Sequence, residues 1–291
     1  MSWENKVKDF CEEYQIPVEY LADVLYEPKV VPMIRGKAFE FSTMLLLKDL
    51  LPESKWEVEK TPMNAQQGSH DIDVAVIHKE TKKKIRIECK LAAKGRFKQK
   101  SGETYIGVKC MRSRTLGEGM VKLLAPKIGV SEKVLSIHND QYVPADFDVV
   151  ITTIGNAFYN TSIETGKFEW SPSDSAISFL KSLSNDDIED IKKFTFENLY
   201  LTKSKDIAIN ENNGIVCTRK KCENKTGCGF IPNYPVITFS EGSTEPDKPW
   251  IPLSHADDFF SSMIDELPTE APSDSVPIEL LQEALEDNSS E

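Results

Sequence analysis

The sequence predicts an α/β fold: a central mixed sheet flanked by helices, followed by an α+β extension. Three observations carry this. Between residues 35 and 155 the elements read helix, strand, strand, strand, helix, strand, an order that suits a sheet covered by helices. Two neighbouring runs, DIDVAVIH at 71–78 and IRIECKL at 85–91, alternate polar and apolar residues. A third run, FDVVITTI at 147–154, is apolar throughout, as a strand covered on both faces would be. A chain of 291 residues can bury a real core as one large domain or two modest ones. It has no run near the roughly 18–20 apolar residues that a membrane span needs.

Taken in order, residues 1–34 form an N-terminal helical segment in which VEYLADVLYE (18–27) is a short amphipathic helix that ends before a break at Pro32. RGKAFEFSTMLLLKDLL, from Arg35, has helical spacing and stops at Pro52. KWEVEKT (55–61) is a first strand. The runs at 71–78 and 85–91 then pair as a hairpin across the polar turn ETKKK. Residues 92–114 are basic and dotted with glycine, and read as a loop or insertion. A helix follows within 115–130, interrupted near Pro126. SDSAISFLKSL and SNDDIEDIKKFTFENLYL read as helices with serine or aspartate N-caps. Residues 205–240 read as short strands and turns. From Glu241 the chain is acidic and rich in proline and serine, which predicts a flexible tail with helices at HADDFFSSMIDEL and PIELLQEAL.

Charge is unevenly spread. The net charge is −12, but residues 241–291 carry fourteen acids against one lysine, leaving residues 1–240 at +1. Residues 79–114 hold thirteen basic side chains and three acids, a field that attracts phosphate backbones. Alone, such a run is more often a solvated hairpin; its place beside an acid cluster favours nucleic acid. Six cysteines in a chain this long predict reduced thiols and a cytoplasmic location, with no membrane association.

Chemistry concentrates at 68–90, GSHDIDVAVIHKETKKKIRIECK. In a strand, residues two apart share a face, so Asp71 and Asp73 point one way on the first strand, and Glu88 and Lys90 share a face on the second. Paired strands bring a carboxylate up to Glu88. Two hard oxygen donors then suit Mg²⁺, with Lys90 in reach of a metal-bound water. Cys89 points away, into the core.

Asp73, a fourteen-residue gap and Glu88-Cys89-Lys90 resemble the PD-(D/E)xK nuclease superfamily, whose fold is called restriction-endonuclease-like. The resemblance covers about residues 35–155. It implies that Asp73 and Glu88 hold Mg²⁺ (or Mn²⁺), that Lys90 is the catalytic lysine, and that Glu40, on the preceding helix RGKAFE, is a further catalytic and metal-binding acid. Asp73 is preferred over Asp71 as the ligand. The family's usual proline before the aspartate is absent. Among members, the chain looks most like a type II restriction endonuclease. That implies double-stranded DNA as substrate, a homodimer, a DNA methyltransferase as genetic partner, and residues 156–240 as a Cys-containing DNA-recognition extension. The alternatives are a repair, phage or modification-dependent nuclease on the same core, or a DNA-binding protein that does not cleave.

Other groups weigh less. Cys217, Cys222 and Cys228 make three parts of a structural Zn²⁺ site whose fourth ligand would be distant, for instance His255 or Cys110. Their loose spacing favours free thiols. Asn156 and Asn160, just after the buried strand, are candidates for base-edge contacts. Trp170, Tyr105, Tyr159 and Phe158 are candidates for stacking, with core packing the commoner role.

Overall fold

The helix that matters most begins earlier than its apolar spacing suggests. The structure, a computed structural model, describes residues 1–60, 72–184 and 187–267. Helix α1 (Trp3–Glu13) is capped by Ser2, whose hydroxyl accepts from the Asn5 amide. Helix α2 (Leu21–Tyr26) leads into α3 (Val30–Leu50), which runs through Pro32. Pro32 does not break the chain. It falls in the first helical turn, where no intrahelical amide bond is lost. The expected boundary at residue 34 therefore lies inside a helix. Phe39, Glu40, Thr43 and Leu47 are the buried residues of α3.

Strand β1 (Trp56–Glu59) pairs antiparallel with β2 (Val74–His78), and β2 with the start of β3 (Lys84–Lys100). The predicted hairpin is present, with Val74 opposite Ile87 and Ile77 opposite Lys84. Of residues 92–114, those up to Val108 are not a loop. Strand β3 continues through Lys100, and Ser101 and Gly102, at φ 52° and 84°, turn it into β4 (Glu103–Val108). Two successive positive φ values are what a tight two-residue hairpin turn requires. The register shifts between Ala92 and Phe97, which lets one strand serve two neighbours. Helices α4 (Glu118–Leu124) and α5 (Glu132–Ile137) follow, then β5 (Val149–Thr153), buried along its whole length and parallel to β3.

A 3₁₀ turn (Ile154–Phe158) leads to a small ribbon of β6 (Tyr159–Thr161) and β7 (Phe168–Trp170), then α6 (Asp174–Ser182). Helix α7 spans only Ile191–Glu197, capped by Asp190. The predicted helical LYL, after the C-cap Asn198, is instead the start of β8 (Leu199–Lys203), whose first four residues are buried. Helix α8 (Ser204–Ile207), β9 (Val236–Phe239), β10 (Ile251–Pro252) and α9 (Ala256–Ile264) complete the chain. The main sheet is mixed, with eight strands in the order β1-β2-β3-β5-β8-β10; it curls where β4 joins the far half of β3 and carries β9. Strands from beyond residue 155 lie in the same sheet, so the expected division there is not a structural boundary.

Alternation sorts the sheet into two faces. Val74, Val76, Ile85, Ile87, Cys89, Val149 and Ile151 pack under α3 and α9. Val150, Tyr200, Phe147 and Tyr142 face the second core, which α6 covers. Residues 241–267 are not a flexible tail. Strand β10 pairs with β8, and Phe260 of α9 is wholly buried. PIELLQEAL lies outside the described residues. Among those described, no helix is long and apolar enough to cross a membrane.

Candidate active site

Pairing of β2 with β3 ends at Val74 and Ile87, one residue short of Asp73. There the Asp73 side chain takes over the backbone's role: its Oδ2 accepts from the Cys89 amide at 2.8 Å. This sets the Asp73 carboxylate between Glu88 and Lys90 along the strand. Cys89 faces the other way, into the α3 core, as alternation requires.

On the opposite face, Lys90 Nζ is ion-paired with Glu88 Oε1. Tyr142 donates its hydroxyl to Glu88 Oε1 at 3.1 Å, and Lys90 donates to the Tyr142 oxygen at 3.4 Å. Glu40 reaches the cluster from α3. Its carboxylate is ion-paired with Lys60, and with Lys37 at 2.9 Å. Lys60 also donates to the Asp73 carbonyl at 3.3 Å, tying the helix to the strand edge. Glu40, Asp73 and Glu88 are 7%, 7% and 3% exposed. Carboxylates that little hydrated require a cation or a proton.

The electrostatics follow from that crowding. Burial, then repulsion from Glu88 and Glu40, pushes the Asp73 carboxyl up to about 8. Burial opposes the charge on Lys90, but attraction to Glu88 outweighs it and holds the amine well above the usual lysine range. Lys90 is therefore an ammonium at neutral pH, suited to donating hydrogen bonds rather than taking a proton. Burial beside Glu88 likewise keeps Tyr142 protonated.

Four of the five predicted site residues, Glu40, Asp73, Glu88 and Lys90, are thus gathered at one place; Asp71 and the neighbouring His70 lie outside the described residues. The three carboxylates are not the tightest ligand set. Among the described residues, the set of three or more ligand-type side chains whose donor atoms all lie within 4.8 Å of one another is His138, Cys217, Cys222 and Cys228. This corrects an expectation. The three loosely spaced cysteines, although free thiols, lie together, and the distant fourth member is His138 rather than His255 or Cys110. Cys110 is buried in the second core, and His255 lies 3.9 Å from Glu245. Sequence reasoning also missed Lys60 and Tyr142. No periodicity singles out any of these three, since each is brought in by packing.

The basic stretch divides in two. Arg86 makes a two-pronged pair with Asp148, and Arg112 bonds Asp146 at 2.6 Å; both fasten the fold. Lys94, Arg96, Lys98 and Lys100 are exposed on the far half of β3, the strand that also carries Glu88 and Lys90. The candidate base readers are engaged elsewhere: Asn156 donates to the Ala92 carbonyl and Asn160 to Ser171. Trp170 donates to the Gly155 carbonyl, Phe158 is buried, Tyr105 bonds Glu103, and the Tyr159 ring lies 3.8 Å from the Arg35 guanidinium.

No protein-family model matches this chain, and no curated protein or solved structure is significantly similar to it.

Proposed function

We propose that this protein is a Mg²⁺-dependent DNA endonuclease with a restriction-endonuclease-like core, cutting double-stranded DNA in the manner of a type II restriction enzyme. The observation that carries the reading is the meeting of three nearly buried carboxylates, from α3, the residue before β2, and β3, with a lysine paired to one of them. The donor set fits the ion. Hard carboxylate oxygens match Mg²⁺, and their crowding is relieved by positive charge. Asp73, Glu88 and Glu40 would hold it. When bound, Mg²⁺ polarises the scissile phosphate and lowers the pKa of a coordinated water.

The protein's own groups do the rest. Glu88 and Tyr142 hold the Lys90 ammonium in position, where it can donate to the attacking water or to a phosphate oxygen that gains charge. Lys94, Arg96, Lys98 and Lys100 continue along the same strand and offer a track for a phosphate backbone. A homodimer would present one site to each DNA strand.

A second reading, a DNA-binding protein that does not cleave, draws on the Lys60–Glu40 pair, which already satisfies one of the acids. One experiment separates the two. Unmethylated genomic DNA is incubated with the protein and Mg²⁺, beside Lys90→Ala. Discrete fragments that the variant produces about 10²–10³-fold more slowly support the nuclease. Intact DNA with tight duplex binding in both proteins supports the second reading.

A further inference from the structure

We propose that His138, Cys217, Cys222 and Cys228 bind one structural Zn²⁺ ion, which anchors the chain segment carrying Tyr142. Three soft sulfur donors and one imidazole nitrogen are the donor set of a closed tetrahedral zinc site, and all four donor atoms lie within 4.8 Å of one another. The site is built as well as close. His138 is fully buried and stacked on Phe230, with ring centroids 4.1 Å apart and planes 8° from parallel.

The hydrogen bonds around His138 determine which nitrogen has a lone pair for a metal. Gln141 donates its amide N–H to the Ile231 carbonyl at 2.8 Å, which orients the amide. Its Oε1 then faces His138 Nδ1 at 2.6 Å and accepts from Arg219 Nε at 3.2 Å. An acceptor at Nδ1 makes that nitrogen the protonated one, so Nε2 carries the lone pair. Nε2 is buried and has no hydrogen-bond partner. A metal-ligating histidine is held in the same way, with one nitrogen donating to an oxygen and the other turned to the ion.

The surrounding chain is of a kind that such a link would hold. Between α8 and β9 there is no helix or strand; Ala208, Phe230 and Ile231 at its ends join neighbouring cores, while its middle has only a small cluster, Ile209, Cys217 and Cys222, with Ile137, Ile215 and Cys228 at its edge. Where local core is this small, a metal is one of the means that hold a chain in place. A disulfide would use two of the thiols and leave His138 without a role. The ion would also join this segment to the candidate active site. His138 is a ligand, Gln141 orients it, and the next residue, Tyr142, donates to Glu88. Arg219, between two of the cysteines, pairs with Asp140 on the same stretch.

The test measures metal rather than cleavage, so it is independent of the nuclease reading. The full chain is produced in zinc-supplemented medium, freed of any affinity tag, dialysed, and assayed by mass spectrometry for metals. About one zinc per chain is expected, released on titration with a thiol-specific mercurial. Replacement by Co²⁺ should give the intense visible absorption of a tetrahedral thiolate site. Cys222→Ser and His138→Gln should each at least halve the zinc content and alter the Co²⁺ spectrum. Wild-type protein holding less than about 0.1 zinc per chain and showing no Co²⁺ band would overturn the proposal. So would zinc kept at full stoichiometry by both variants. Should the variants be insoluble, the wild-type stoichiometry and Co²⁺ spectrum decide alone.

Discussion

Asp73 is a carboxylic acid placed where a carboxylate is costly, and its titration should show it. In the fold it is pushed up to about 8, against an ordinary value of 3.8. Between those values the folded protein holds a proton that the unfolded chain has released. The group's contribution to stability is therefore complete below the lower value and lost as pH rises through the upper one. With chelator present, the wild-type melting temperature should fall between about pH 5 and pH 8 more steeply than that of Asp73→Asn. Equal slopes would mean that Asp73 is already ionised. Mg²⁺ should raise the wild-type melting temperature more at the alkaline end, where it has no proton to displace. Tyr142→Phe removes a buried hydroxyl that donates to Glu88. It should lower the unfolding free energy in urea by about 1 kcal/mol, and no loss would indicate that the bond is not made.

At the scale of elements, β3 and α9 carry the sharpest consequences. Strand β3 holds the candidate catalytic pair in its near half and the exposed basic residues in its far half. Replacing Lys94, Arg96, Lys98 and Lys100 with alanine should flatten the dependence of duplex binding on salt, by about 0.9 in log–log slope for each phosphate no longer neutralised. An unchanged slope would mean that DNA does not follow this strand. Helix α9 packs Phe260 against Trp56 of β1, with ring centroids 6.0 Å apart, and Asp257 accepts from the Trp56 indole at 2.7 Å. Phe260→Ala should cost about 3–5 kcal/mol. A loss under about 1 kcal/mol would show that residues 241–267 are peripheral. Deleting residues 241–291 would remove β10 and α9 from the sheet, so such a truncation reports on folding before it reports on DNA binding.

For the molecule as a whole, one chain of interactions links the cysteine segment to the acid cluster. It runs from Cys217 and Cys222, whose sulfurs lie within 4.8 Å of a His138 nitrogen, through Gln141 to Tyr142, and ends at Glu88 and Lys90. Stripping zinc with a strong chelator should open residues 210–228 to proteolysis. Lys220 and Lys221 would become early trypsin sites, read as a pair of fragments by mass spectrometry. Cleavage there at the same rate with and without chelator would show that no metal braces the segment.

What the amino-acid order alone determined is local. Residues two apart on a strand share a face whatever surrounds them. The Glu88–Lys90 pair, the inward turn of Cys89 and the β2–β3 hairpin were therefore legible from alternation. Helix α3 was legible from helical spacing, and Glu40 on it was singled out only by the resemblance to the nuclease superfamily. Only the tertiary structure decided the rest. The far half of β3 has one large apolar residue, Phe97, in seven, because much of it faces solvent; its strand character comes from pairing with β4. Residues 241–267 read as tail because their charge dominates their composition, yet Phe260, Met263 and Ile264 are enough to seat α9 on the sheet. His138 stands 79 positions before Cys217, Tyr142 stands 52 after Lys90, and Lys60 stands 20 after its partner Glu40. Pairings at such separations leave no periodic trace, because they depend on how whole elements pack rather than on the geometry of neighbouring peptide units.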